Sequence, residues 1–400
     1  MSFPEPEVVS LGCRLNIAES ETIRTLAAGR DMVVVNSCAV TNEAVKQSRA
    51  AIRRAARLRP DAELVVTGCA AEIDPAAFAA MPEVSRVVGN VAKLRPDSWG
   101  AAAAAVPTVF AGHARAFVEV QNGCDHSCTF CIIPQGRGTS RSSPAGAVVD
   151  RVRALVDAGH REVVLTGVDL TSYGPDLPGA PTLGMLVERI LRHVPALERL
   201  RLRLSSLDSV EIDDRLFAIV TQDERVMPHL HLSLQAGSDL ILKRMKRRHT
   251  RGQSVALVDR LLAARPAIAI GADLIAGFPT EDEAMFADTL ALIADARIVH
   301  AHIFPFSPRT GTPAARMPQV APDVRRERAA RLRAAAATAR RSWLATLVGT
   351  RQAMLVERPG DRGHAPNHAA ITCSTVAEPG SVRDVRITGA TDTGLIGSMT

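Results

Sequence analysis

The chain alternates short apolar runs with helical patterns, and three of the first runs end in cysteine. Glu7-Val8-Val9-Ser10-Leu11-Gly12-Cys13, Met32-Val33-Val34-Val35-Asn36-Ser37-Cys38 and Glu63-Leu64-Val65-Val66-Thr67-Gly68-Cys69 each read as a buried strand closed by a turn. Between Glu43 and Leu58, Ala44, Val45, Ala51, Ile52 and Ala55 fall on one helical face, opposite Lys46, Arg49, Arg53 and Arg57. Such alternation predicts a parallel sheet covered by helices, with ligands outside the carboxyl ends of its strands. Cys13, Cys38 and Cys69 share that edge, which suggests a three-thiolate site. Spacing alone leaves open an iron–sulfur cluster, buried structural cysteines or zinc.

The alternation resumes at Ala116. Candidate strands are Ala116 to Val120, Glu162 to Thr166, Leu200 to Leu204, His229 to Leu234, Ile268 to Ile275 and Ile298 to Phe304. Candidate helices include Val148 to Ala158, Leu183 to Arg192 and Met285 to Ala294. Six strand–helix units predict an open (β/α)6 barrel, reactive at the strand C-termini. Right after its first strand stands Gly123-Cys124-Asp125-His126-Ser127-Cys128-Thr129-Phe130-Cys131. Three thiols so close make poor disulfides, and a closed zinc site would want a fourth ligand that His126 is too near to supply. Iron–sulfur clusters take thiolates, normally four, so three ligands leave one iron open for chemistry.

Composition sets the outer limits. A chain of 400 residues with 46% hydrophobic and 22% charged content can bury two or three cores. The alanine-rich run from Gly100 to Val109 is too weakly apolar to span a bilayer, and Met1 to Glu5 does not resemble a secretory signal. Seven cysteines point to metal ligation in a reducing cytoplasm. The net charge of +6 fits a nucleic-acid partner or an Arg-rich coding bias. Arg137 and Arg141, and the cluster Lys243, Arg244, Lys246, Arg247, Arg248 and Arg251, are either solvated faces or phosphate contacts. His113, His126 and His160 receive no ligand role.

The Cys124–Cys131 spacing resembles the radical S-adenosylmethionine (SAM) signature. The resemblance implies a [4Fe-4S] cluster on Cys124, Cys128 and Cys131 whose open iron binds SAM, and one-electron cleavage of SAM to a radical that abstracts hydrogen. Leu11-Gly12-Cys13-Arg14-Leu15-Asn16, Asn36-Ser37-Cys38-Ala39-Val40-Thr41 and Gly68-Cys69-Ala70 resemble the first three motifs of the methylthiotransferases, a branch of that superfamily. That implies a second, auxiliary [4Fe-4S] cluster on Cys13, Cys38 and Cys69. It also implies SAM contacts from Thr166, Gly167 and Asp169, from Ser205, from Gln235 in Ser233-Leu234-Gln235-Ala236-Gly237-Ser238, and from Gly277. Arg14-Leu15-Asn16 and Ala39-Val40-Thr41 look most like the members acting on threonylcarbamoyl-adenosine next to the tRNA anticodon. Isopentenyl-adenosine in tRNA and a ribosomal-protein aspartate are the alternative acceptors, and a non-catalytic iron–sulfur RNA-binding protein is the alternative class. Arg137, Arg141, Lys246 and Arg247 are the candidate substrate or RNA contacts. A flavodoxin- or ferredoxin-type reductant and a sulfur donor are the further partners implied.

Pro322 to Arg341 has helical propensity. Beyond it, Ala353 to Glu357, Ala369 to Thr372 and Val382 to Thr388 are β-like runs that suggest a small barrel resembling the nucleic-acid-binding TRAM module. It has no aromatic residue after Trp343, so backbone and Arg contacts would have to hold RNA. The expected domains are 5–105, 110–335 and 342–400.

Overall fold

The structure is a computed structural model that describes residues 5–103, 110, 113–194 and 201–399. Residues 1–4, the segment 106–109 between the first two expected domains, and Leu200 lie outside the described residues. The N-terminal unit is a four-stranded parallel sheet in sequential order: β1 (Glu7–Ser10), β2 (Met32–Ser37), β3 (Glu63–Gly68) and β4 (Arg86–Val87). Every residue of β2 is buried, which explains its unbroken apolar run. Its alternate residues feed two cores. Val33 and Val35 meet Ile52 of α2 (Asn42–Leu58), and Val34 meets Ile23 and Leu26 of α1 (Arg14–Leu26). The Thr41 hydroxyl caps α2 by accepting from Ala44 N at 3.1 Å.

The central unit contains β5 (Ala116–Glu119), a two-stranded ribbon of β6 (Gln121–Asn122) and β7 (Arg141–Ser142), β8 (Glu162–Thr166), β9 (Arg201–Leu204), β10 (Ser206–Leu207), β11 (His229–Gln235), β12 (Ala269–Ala276) and β13 (Ile298–Pro305). The parallel wall runs β5-β8-β9 and then β10-β11-β12-β13, with the ladder interrupted at Ser205. Its end strands β5 and β13 do not pair, so the barrel is open, as the six units predict. Helix α1 packs on β5, and Ala18 joins the barrel core with Phe117 and Val118. The N-terminal unit is thereby docked against the barrel.

Helix Pro322–Thr346 runs along β13 and leads into a closed barrel of five strands, ordered β14 (Arg351–Glu357), β15 (Arg362–His364), β16 (Ala370–Cys373), β18 (Leu395–Met399) and β17 (Val382–Ala390). The apolar runs in the sequence identify β14, β16 and β17. They miss β15, which is three residues long, and the glycine-interrupted β18. This small barrel floors the central one. Arg203 donates to the carbonyls of Ala365 and Pro366, each at 2.9 Å, and Arg115 pairs with Glu357 at 2.7 Å. Beneath them Glu162 is wholly buried. Burial opposes its ionisation, yet Arg203 and Arg115 hold its carboxyl down at about 2.

His229, His300 and His368 stack at this junction beside Trp343, with His229–His368 ring centroids 4.9 Å apart. Burial keeps them neutral: His300 is pushed down to about 3, and His229 well below its ordinary range. An unfolded histidine takes up its proton near pH 6.5, so these groups favour unfolding as pH falls from about 6.5 toward 3. Glu162 loses its contribution only as pH falls from 4.5 toward about 2, outside the upper part of that window. Urea stability should therefore fall between pH 7 and pH 5, with His300 alone contributing about 2 kcal/mol at pH 5. A His300→Asn variant should show a shallower slope. The same slope in both proteins would show that His300 does not set the pH dependence.

Candidate active site

The strand ends bring the first three cysteines together. Cys13 is the N-cap of α1, Cys38 follows β2 just before α2, and Cys69 opens the helix Cys69–Ile73. Helix N-termini carry partial positive charge, which favours thiolates. Packing around the triad is close. Gly12 has φ +92°, and a Cβ there would stand 2.6 Å from Cys38 Sγ. Gly136, in the helix Ile133–Arg137, faces Cys69, where a Cβ would lie 3.1 Å from that of Cys69. Burial pushes the Cys38 thiol up. The thiols of Cys13 and Cys69 also feel the guanidinium of Arg137.

The second triad sits on a loop pinned from both sides. Cys124 N donates to Gly138 O at 3.1 Å, Thr129 N to Met245 O at 3.1 Å, and the Thr129 hydroxyl to Arg244 O at 2.8 Å. Gly123 has φ +74° against Thr139 O, where no side chain would fit. Burial raises the thiols of Cys124 to about 12 and Cys131 to about 11, so as bare thiols they stay protonated at neutral pH. They suit metal ligation, which displaces the proton, better than free nucleophilic work. Arg247 donates to Cys128 Sγ at 3.7 Å, a cation suited to compensating cluster charge.

Between the units lies a cavity of about 600 Å3. Cys13, Cys38 and Arg14 line one side, and Thr166, Gly167, Ser205, Ser233, Asp273 and His302 from the strand ends line the other. It adjoins a second cavity of about 220 Å3, bordered by Phe130 and Gln235, with Val40, Thr41, Asp273 and Phe304 common to both. Ser205 Oγ is buried with no hydrogen-bond partner, an open valence at the edge where a ligand would lie. Asp169 stands 4.0 Å from Cys124 Sγ. Its ionised form is held, against burial, by His126 at 2.6 Å and by Ser172 at 2.9 Å. Gly277 lines neither cavity. It has φ +70° and is covered by Arg325.

The four basic candidates take different positions. Arg137 is buried and bound by Glu19 at 2.9 Å, and Glu19 also pairs with Lys93 at 2.7 Å. Arg247 pairs with Asp208 at 3.0 Å and donates to Ser233 O at 2.8 Å. Neither offers a free guanidinium to a substrate, because each compensates a buried carboxylate. Arg141 donates to the carbonyls of Arg137 and Thr139, and Lys246 is exposed away from both cavities. Sequence reasoning missed Arg14 and His126. Arg14 was legible only as a motif letter, and the partner of His126, Asp169, lies 43 positions away across the fold.

Two thiol triads, each with a nearby cation, fit iron–sulfur clusters with three protein ligands. Residues 118–293 match the radical SAM superfamily, and residues 6–89 match the uncharacterized protein family UPF0004. The site and the central barrel thus define a radical SAM enzyme. A threonylcarbamoyladenosine tRNA methylthiotransferase MtaB of Rickettsia prowazekii is 44% identical, covering 96% of this chain and 94% of the relative. The Bacillus subtilis MtaB is 36% identical, covering 81% of this chain and 78% of the relative. A tRNA-2-methylthio-N(6)-dimethylallyladenosine synthase of Erythrobacter litoralis is 35% identical over 88% of this chain and 86% of its own. The radical SAM methyltransferase TsrM of Kitasatospora setae shares the fold at a TM-score of 0.53 and 17% identity, over 70% of this chain and 64% of its own. The chain belongs to the radical SAM methylthiotransferase family and resembles its MtaB branch. It is a transferase whose cofactors are SAM and two [4Fe-4S] clusters. No helix among the described residues is long and apolar enough to cross a membrane.

Anaerobically reconstituted protein should hold about eight irons, and replacing Cys13, Cys38 and Cys69 together by Ala should remove roughly half. Gly12→Ala should lower iron occupancy of the same site, because its methyl group displaces the Cys38 thiol. Full iron content in the triple variant would show that these cysteines hold no cluster.

Proposed function

We propose that this enzyme converts N6-threonylcarbamoyladenosine next to the tRNA anticodon to its 2-methylthio derivative. The observation that carries the reading is the shared cavity, which has Cys13 and Cys38 on one wall and the barrel's strand-end hydroxyls on the other. The MtaB relatives support the acceptor. When bound, the clusters and SAM supply one-electron chemistry for adenine C2–H, a bond that offers no acidic proton to a side-chain base. Cys124, Cys128 and Cys131 hold one cluster, and Cys13, Cys38 and Cys69 hold the other. Thr166, Gly167, Ser205 and Gln235 bind SAM at the strand ends, with Gly277 shaping the turn behind them. Asp169, fixed by His126, receives the SAM amino group. A flavodoxin- or ferredoxin-type protein delivers the electrons, a separate donor supplies sulfur, and the enzyme works in the cytoplasm, where its tRNA is.

The C-terminal barrel is the RNA-holding module in this reading. Arg351 and Arg386 are exposed and directly opposed across β14 and β17, and Arg383 is exposed on the same strand pair. Facing like charges destabilise a sheet unless an anion such as a phosphate lies over them. Arg141 and Lys246, both exposed, are further candidate phosphate contacts.

Purified enzyme should methylthiolate an anticodon stem-loop carrying threonylcarbamoyladenosine and fail on one carrying isopentenyladenosine. Turnover of the isopentenyl loop alone would overturn the acceptor assignment and leave the radical chemistry standing. Changing Arg351 and Arg386 to Gln should weaken tRNA binding and flatten its log–log salt dependence by about two. An unaltered salt slope would dissociate these arginines from RNA. Deleting the whole tail is a poorer test, because the small barrel forms the floor of the central one.

A further inference from the structure

The acceptor carries a carboxylate, and its pocket must meet that charge. The arginines lining the larger cavity are Arg14 and Arg137. Arg137 is committed to Glu19, Asn16 and Asn122. Arg14, the first residue of α1, makes no hydrogen bond or ion pair among the described residues. Its surroundings do not neutralise it either. The carboxylates in its electrostatic reach are Glu162 and Asp273. Glu162 is taken by Arg203 and Arg115, and Asp273 by His231 at 3.0 Å and His302 at 3.2 Å. Arg115 and Arg203 are further cations in its neighbourhood. A half-buried, unpaired guanidinium beside two further cations is an unsatisfied arrangement unless an anion enters the cavity.

We propose that Arg14 is the carboxylate anchor of the acceptor pocket, holding the free carboxylate of the threonylcarbamoyl group through its two terminal nitrogens. The assignment rests on the acceptor reading above and adds the residue that enforces it. A guanidinium matches a carboxylate with two parallel hydrogen bonds, which an ammonium cannot reproduce. Arg14 also directly follows Cys13, so the group that grips the modified base is one peptide bond from a thiol of the auxiliary site. An isopentenyl group would leave this charge unpaired, and such a site rejects it on that ground. SAM has a carboxylate too, and the same guanidinium chemistry would suit it, so the experiment separates the two.

Wild type, Arg14→Gln and Arg14→Lys are compared on stem-loops carrying the natural threonylcarbamoyl group and its neutral carboxamide analogue. Iron content and melting temperature report folding, and SAM binding is measured without RNA. Wild type should prefer the carboxylate loop by roughly 30-fold or more in kcat/KM. Arg14→Gln should bring the ratio close to one, and Arg14→Lys should restore part of it. A wild-type ratio in Arg14→Gln overturns the assignment, as does an unchanged ratio accompanied by weakened SAM binding, which gives the guanidinium to SAM. If wild type turns over only another acceptor, the functional reading itself falls, and the Arg14 assignment with it.

Discussion

The buried pairing of Glu19 with Arg137 and Lys93 is the interaction on which the rest of the site depends. Glu19 belongs to α1, Lys93 to the end of the N-terminal unit, and Arg137 to the helix that follows the second cysteine loop. The carboxyl is wholly buried, yet the two cations hold it ionised at about 2. Desolvation cancels much of what such pairing gains, so it adds little net stability over an apolar contact. Removing one partner, by contrast, costs about 3–5 kcal/mol. Its effect is registration. With Arg137 fixed, Gly136 lies against Cys69, and the two cysteine sites acquire a definite relation to each other.

That relation explains the basic residues that do not face substrate. Arg137 and Arg247 each sit beside a cysteine triad and are tied to a buried carboxylate, Glu19 and Asp208. Their charge is available to thiolate sulfurs, while their geometry is set by the protein. In the proposed reading, recognition falls to cations that have no internal partner among the described residues, Arg14 in the cavity and Arg351 and Arg386 on the small barrel.

Much of this was legible in sequence because it is local. The strand ends carrying Cys13, Cys38 and Cys69, the spacing of Cys124, Cys128 and Cys131, and the open six-unit barrel follow from hydrophobic period and turn residues. What the sequence hid is long-range. Nothing near Arg137 in the chain announces Glu19, and nothing near Arg247 announces Asp208, so both arginines read as free surface cations. Strand β18 was hidden for a different reason: Leu395-Ile396-Gly397-Ser398-Met399 is short and contains a glycine, and it is a strand because β16 and β17 pair with it. Gln235 and Ser205 were visible as turn residues. That Ser205 interrupts the ladder between β9 and β10 depends on strands distant in sequence.

The floor of the central barrel has a consequence for how such enzymes can be recombined. Arg203 and Arg115 reach out of the catalytic unit and end on groups of the small barrel: the carbonyls of Ala365 and Pro366, and Glu357. A tail grafted from another protein would have to present the same acceptors at the same height, or strand two guanidinium groups over a buried Glu162. The tail is therefore no interchangeable cartridge. Sequence change in the tail is constrained to its outer face, because the backbone path of its inner face supplies the acceptors for Arg203.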